Sequence, residues 1–455
     1  MILINNQKYL YVCFFCIIVL VFSFSFVYVD ESNAITAIFL LLFTISFPLF
    51  LIVKLALNGL FFTTISFWSI IFIIESFTGF LKFNLFDENI AFLNSSLLLY
   101  VLSYVAFLCG YFIYYFFIAN TDKKKDRLFN IGNEVIKIIF VLLAFFTITK
   151  VTSFFVKVLN EGGLRYFLNN MYSFRYGTNA ASTRENAAIV FLNMVNASYR
   201  PVLCLGFYFY LKKCYTGFEK KAFYCFIIIS FFLTVLSGFR GAVIIFFVSL
   251  IAIYDDNKSI KPFSLFKILT IILFFLFLLN FYHYYMYYLT AGWVHRDFGE
   301  TLQYLLAPHG HLKTLSLIYK PYQDIVFLHG ETILESIFFF IPRFIWESKA
   351  VLYGTGIVQE WAGLPTWFQM APTAIGELYA HFGYVGIVGM ILYGALHSYF
   401  DTYRFGDLID KALFYGLLLP KVLTHSGMGI SAVMITIFQA CLFIFLFRFC
   451  FRLRC

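Results

Sequence analysis

Val135-Ile136-Lys137-Ile138-Ile139-Phe140-Val141-Leu142-Leu143-Ala144-Phe145-Phe146-Thr147-Ile148-Thr149-Lys150-Val151 follows closely on Lys123-Lys124-Lys125 and Arg127. The apolar run extends from about 134 to 156. That is the length, roughly 17–25 residues, at which an α-helix crosses the hydrocarbon core of a bilayer. The basic cluster before it marks the end held in the cytoplasm, because short connectors rich in Lys and Arg stay on that side. One stretch therefore sets both the class of the protein and the orientation of its chain.

The same pattern recurs in both directions. Apolar runs near 8–29, 35–53, 60–79, 91–119, 134–156, 187–211, 222–238, 241–254, 265–288, 374–398, 411–425 and 428–449 predict about twelve transmembrane helices. The expected fold is all-α: a polytopic helical integral membrane protein, with residues 1–455 as a single membrane domain. The charged connectors 120–133, 212–221 and 255–264 then share one side with both termini, the cytoplasm. Composition agrees: 62% of the 455 residues are hydrophobic and 13% charged, with mean hydropathy +0.84, against about 25% charged residues in soluble domains. The run 8–29 is too long for the apolar core of a signal peptide and lacks a small-x-small cleavage site, so it reads as an uncleaved helix. The formal charge of +9 sits in Lys123–Lys125, Lys212-Lys213, Lys220-Lys221, Arg448, Arg452 and Arg454. This is a topology signal, and no nucleic-acid partner is expected. The nine cysteines lie mostly in apolar runs, so neither a disulfide framework nor a zinc site is expected. The 64 Phe report lipid-facing and packing surface.

Two long segments interrupt this pattern on the outer side, 157–186 and 289–373. The second is large for a loop and, with Trp, Phe and Ile throughout, too apolar for a disordered one. Leu302, Leu305, Leu306, Leu312, Leu315 and Tyr319 recur near helical spacing and predict an amphipathic helix lying on the membrane. Ile341-Pro342-Arg343-Phe344-Ile345-Trp346 reads as a turn at headgroup depth.

Several residues in or near these segments carry chemistry. Arg240 lies in Ser237-Gly238-Phe239-Arg240-Gly241, a tight turn between two apolar runs at the outer surface. A guanidinium there grips a phosphate bidentately, or serves as an interface anchor. Arg165, Arg175 and Arg184 stand on the first outer segment against the positive-inside tendency. Arg200, followed by Pro201, falls near the middle of the span 187–211, with Glu75 as the expected counter-charge. An arginine at that depth costs at least about 2.5 kcal/mol and faces a cavity or a partner. Pro372 opens the tenth span, and Glu377 and His381, four apart, share a helical face below the outer surface. They read as a proton-transfer pair or as a buried helix-locking bond. Gly383, Gly386 and Gly389 form a small-residue stripe suited to close packing. His295, His309, His311 and His329 are candidate general bases, but Pro308-His309-Gly310-His311 has no neighbouring ligands that would make a metal site. There is no P-loop and no GxGxxG, and Asp255-Asp256 reads as a solvated connector. A group-transfer enzyme of this kind would take its donor from a lipid carrier.

Three stretches resemble the Wzy-type O-antigen polymerases, the oligosaccharide repeat unit polymerases. They are Ser237-Gly238-Phe239-Arg240-Gly241; Ile341-Pro342-Arg343-Phe344-Ile345-Trp346 followed by Lys349; and Pro372-Thr373-Ala374-Ile375-Gly376-Glu377 with Phe382-Gly383-Tyr384-Val385-Gly386. Their order, spacing and long outer loop match over most of the chain, although Glu347 stands where the family often has proline. The resemblance implies a GT-C-like architecture in the bacterial inner membrane, with the large loop periplasmic between spans nine and ten. It implies transfer of a growing glycan from undecaprenyl diphosphate onto a new lipid-linked repeat unit, without metal, nucleotide or other cofactor. Arg240, Arg175, Arg343, Arg165 and Arg200 would meet the diphosphate, and Glu377 or His311 would handle the acceptor proton. Membrane lipid and a chain-length regulator protein are the further partners implied.

Two other classes fit parts of the pattern. A lipid-linked glycan ligase shares the topology and the basic outer loop. A polysaccharide flippase or transporter predicts charges along a central pathway, for which Glu75, Lys150 and Arg200 are the candidates.

Overall fold

The computed structural model describes residues 34–85, 93–118, 133–160, 163, 196, 198–236, 240–258, 315, 330, 333 and 373–452. Every regular element among them is helical. In chain order these are α1 (Ala34–Leu57), α2 (Thr64–Leu85), α3 (Leu93–Ile113), α4 (Asn133–Asn160), α5 (Tyr199–Leu211), α6 (Gly217–Leu236), α7 (Arg240–Lys258), α8 (Thr373–Phe382), α9 (Gly386–Thr402), α10 (Leu408–Leu413) and α11 (Leu419–Arg452). Four described segments are long and apolar enough to cross a membrane: Leu40–Leu57, Ser95–Ile118, Val135–Val156 and Thr373–Phe405. Thr64–Phe77 and Val433–Phe445 are shorter apolar helices. Phe117, Phe145, Phe155 and Phe232 point outward from these helices, as lipid-facing rings do.

The bundle is drawn together by backbone contact between α3 and α9. A Cβ on Gly110 would lie 1.8 Å from the Ile391 carbonyl oxygen, and one on Gly394 would lie 1.9 Å from that of Phe107. Apolar side chains gain little by leaving lipid for protein, so membrane helices depend on such close small-residue approach. Trp68, Phe107, Tyr393 and His397 fill the seam beside it with mutual ring contacts.

Polar locks gather at one end of the bundle. Asp401, at the end of α9, accepts from the Thr64 backbone N–H at 2.9 Å and from Thr64 Oγ1 at 2.9 Å. It also accepts from the Tyr111 hydroxyl. A carboxylate at the first N–H of α2 satisfies a donor the helix leaves open and meets the positive end of its dipole. Arg404 donates to the Gly59 carbonyl at 3.0 Å. Asp256, near the end of α7, pairs with Lys411 at 3.3 Å and accepts from the Tyr415 hydroxyl at 3.0 Å. It is thus a partly buried strut inside α7, and the expected solvated connector at Asp255-Asp256 is corrected for Asp256. Lys54 in the last turn of α1, Lys212 and Lys213 just after α5, and Arg404 just after α9 make this end basic. Asp401 and Arg404 join the end of α9 to the chain after α1, and Asp256 joins the end of α7 to α10, at this basic end.

Two expected spans take another form. The turn expected between 411–425 and 428–449 is replaced by α11, a continuous 34-residue helix. No proline or left-handed residue interrupts it there, and Gly427 and Gly429 take helical geometry. The tenth span, expected straight through 374–398, breaks at Gly383. Its φ is +59°, a conformation glycine adopts without the Cβ penalty. A Cβ on Gly386 would lie 2.4 Å from the Leu378 carbonyl oxygen, and Gly389 rests on the Leu378 side chain. The glycine stripe therefore folds α8 back against α9.

Candidate functional site

Away from the basic end, α8 carries Glu377 and His381, both fully buried. Thr373 opens the helix at φ +60°, and its Oγ1 accepts from the Gly376 N–H at 3.2 Å, capping the first turn. Glu377 accepts from the Ile430 backbone N–H at 2.6 Å, which fixes α8 against the middle of α11. His381 accepts through Nδ1 from the Gly330 N–H at 3.0 Å. Gly330, at φ +86°, also lies under the Phe382 ring. Gly330, from the expected outer segment, is thereby seated on α8. Leu315 of the expected amphipathic helix is helical and fully buried, and Ile333 packs on the core. Glu377 and His381 share the helix α8, and the two side chains bind different parts of the fold, Ile430 of α11 and Gly330.

A second cluster lies between α8 and the basic end. Arg200 sits in the first turn of α5. Its charge acts on Lys150 of α4 and on Lys421 of α11. All three are half-buried, while Tyr199, Val202 and Val422 beside them have almost no accessible surface. Lys150 Nζ stands 4.1 Å over the Tyr199 ring, a cation–π placement. The Tyr199 hydroxyl is held by Ser230 and by Thr147 Oγ1 at 3.4 Å. Thr149 Oγ1 donates to Asn196 Oδ1 at 3.0 Å, tying α4 to the residues just before α5. The approach of α5 to the chain before α11 depends on Gly416: a Cβ there would lie 2.5 Å from Pro201 Cα and 2.9 Å from the Arg200 carbonyl carbon. Gly416 sits in a π-helical turn, Phe414–Leu418, directly before Pro420. Proline has no N–H to continue the ladder, and a wider turn accommodates that break.

The expected partner of Arg200 is engaged elsewhere, since Glu75 accepts from the Tyr100 hydroxyl. Among the described residues, no carboxylate contributes to the field at Lys150 or Arg200. Lys421 was not singled out from the sequence, where it sits unremarked within an apolar run. The only signal available was a lysine at mid-span, the argument that flagged Arg200.

Arg240 begins α7 and α6 ends at Leu236, while the expected tight turn at 237–239 lies outside the described residues. Helix α7 packs on α5 and α11, the helices bearing Arg200 and Lys421. Arg165, Arg175, Arg343 and His311 lie outside the described residues. Comparison with protein-family models, with characterised proteins and with solved structures gives no match.

Proposed function

We propose that this protein polymerises undecaprenyl-diphosphate-linked oligosaccharide repeat units, for O-antigen or a similar surface polysaccharide, at the periplasmic face of the bacterial inner membrane. The observation that carries the proposal is the docking of Gly330, from the expected outer segment, on a broken, re-entering helix. Gly330 docks on His381, one turn from Glu377, with cationic side chains deeper in the same bundle. Irregular backbone at membrane depth is tolerated where protein buries it or where it lines a cavity. A lipid-linked substrate needs a site that can be reached from both the bilayer and the outer aqueous face.

The reaction is a glycosyl transfer. An acceptor hydroxyl attacks the donor's anomeric carbon, the bond from that carbon to the diphosphate oxygen breaks, and the diphosphate leaves with the bonding pair. A base takes the hydroxyl proton, the role given to Glu377 or His311. Arg240, Arg175, Arg343, Arg165 and Arg200 are assigned to the charge developing on the leaving diphosphate. The spans counted from the sequence complete this reading, except that a continuous α11 puts Arg452 on the side opposite the cytoplasmic connectors. A chain-length regulator is the protein partner proposed.

Deletion of the gene followed by a gel of surface lipopolysaccharide tests the function. Core bearing a single repeat unit is the expected result. Bare core with lipid-linked polymer accumulating would replace the reading with a ligase, and normal ladders would end both. Complementation with Arg240→Ala is expected to leave single-repeat core, whereas full ladders would remove Arg240 from the site.

A further inference from the structure

We propose that the hairpin between α5 and α6 is a binding site for an anionic phospholipid, its headgroup on Lys212, Lys213, Lys220 and Lys221 and its acyl chains along the outward face of α6.

The hairpin holds these lysines together on a rigid turn. Lys212 and Lys213 follow α5, and Lys220 and Lys221 lie in the first turns of α6. The Tyr210 and Tyr224 hydroxyls meet across the hairpin, with ring centroids 5.5 Å apart, and each lysine stands within four residues of that contact. The Tyr215 hydroxyl donates to the Gly206 carbonyl at 2.8 Å, and its ring lies against Phe140 and Phe223. A Cβ on Gly206 would lie 2.7 Å from the Phe223 ring, so α5 and α6 are in close contact. The Cys214 N–H donates to the Phe209 carbonyl at 3.1 Å and the Lys213 N–H to that of Tyr210 at 3.0 Å. With Lys213 at φ +59°, this is a Schellman ending, whose left-handed position is cheapest for glycine. The chain places a cation there instead.

The protein supplies no counter-charge to this group. Glu219, the carboxylate within the hairpin, accepts from the Thr216 N–H at 2.7 Å and caps α6. All four lysines are exposed, and among the described residues none of them enters an ion pair. Lys221, Cys225, Ile228 and Phe232 share one face of α6. Cys225 is exposed, and Ile228 and Phe232 leave 53% and 60% of their surface uncovered. From Lys221 to Phe232 that face runs roughly 16 Å, close to half of a hydrocarbon core of about 30 Å. A soluble anion would meet the lysines and leave the apolar stripe bare. A phospholipid covers both, its phosphate against the ammonium groups, which act as point charges, and its chains on Ile228 and Phe232. On the orientation read from the basic connectors, the leaflet is the cytoplasmic one.

The test is lipid binding by the purified full chain in a neutral detergent, titrated by native mass spectrometry with dioleoylphosphatidylglycerol and dioleoylphosphatidylcholine as probes. The wild type is expected to prefer phosphatidylglycerol by roughly tenfold or more. Lys220→Gln and Lys221→Gln are each expected to weaken that lipid about fivefold, the weight of one cation at an anionic surface. The two together should remove most of the preference, and Lys220→Arg with Lys221→Arg should keep it. Lys54→Gln, an equal loss of charge at the same end but outside the hairpin, is expected to change binding less than about twofold. Thermal midpoints are read alongside, and Lys212→Gln, outside α6, serves as an independent variant should the α6 pair fail to fold. Equal binding of the two lipids by a folded wild type overturns the proposal, as does unchanged binding by the glutamine variants. A loss from Lys54→Gln as large as that from Lys221→Gln would reduce the effect to net charge and overturn the site. Displacement of the lipid by glycerol phosphate at similar concentration would make the ligand a free anion and overturn the role of the α6 face.

Discussion

Glu377 is where architecture and chemistry compete for one side chain. It is fully buried and accepts from the Ile430 N–H at 2.6 Å, so part of its role is to join α8 to α11. A glutamine has nearly the same shape and keeps a carbonyl oxygen for that bond, but cannot take up a proton. Glu377→Gln is therefore expected to hold the thermal midpoint within a few degrees while cutting polymerisation by roughly 10²–10⁴-fold, the usual weight of a general base. Glu377→Ala also leaves the Ile430 donor without its acceptor, at about 1–3 kcal/mol, and should lower both. Full ladders from Glu377→Gln would assign the residue to architecture alone and leave the proton to His311. The sequence made Glu377 and His381 legible through their spacing, because a four-residue interval puts two side chains on one face whatever the tertiary fold. It did not reveal that their bonds run to Ile430 and Gly330, or that Lys421 joins Arg200. Those are contacts between distant parts of the chain, and local pattern carries no record of them.

At the scale of elements, hydropathy located the helices well where lipid solvation decides them. The runs 35–53, 91–119 and 134–156 correspond to Ala34–Leu57, Leu93–Ile118 and Asn133–Asn160. Small residues were harder to read, since glycine serves close packing, sharp reversal and uninterrupted helix alike. Gly110 and Gly394 bring α3 and α9 into backbone contact, Gly383 breaks a span, and Gly427 and Gly429 stay within α11. The last case has a topological consequence. A 34-residue helix is about 51 Å long, well beyond the hydrocarbon core of about 30 Å. It starts from α10, which is tied to the basic end by Lys411, and passes Glu377 at Ile430. A topology reporter fused after Arg452 is therefore expected on the side opposite a reporter inserted at Lys213. Reporters on the same side would show that the chain turns near Gly427–Gly429 and returns Arg448 and Arg452 to the cytoplasm, as the positive-inside pattern expects.

For the molecule as a whole, the central relation is between a bundle locked at its basic end and Gly330, from the expected outer segment, docked on α8. Asp401 and Arg404 tie α2, α3 and α9 into a frame with the turn after α1, and Asp256 joins α7 to α10. Among the described residues, the outer segment meets α8 through Gly330, whose N–H reaches His381 and whose Cα lies against Phe382. Its φ of +86° is one that a β-branched residue reaches only at a cost of order 1–3 kcal/mol, and a Cβ there would press the Phe382 ring at 3.3 Å. Gly330→Val should therefore unseat the outer segment while sparing the frame, which it does not touch. The expected outcome is faster cleavage within 289–373 by a protease added from the outer side, shorter or absent polymer, and a thermal midpoint close to that of the wild type. Because Leu315 and Ile333 also pack on the bundle, release should be partial, and the cleavage rate, more than its pattern, should change. A variant that cleaves no faster yet loses polymer would place the effect in the geometry around Glu377. One that cleaves faster and still polymerises fully would show that the seating of this segment is dispensable for the transfer.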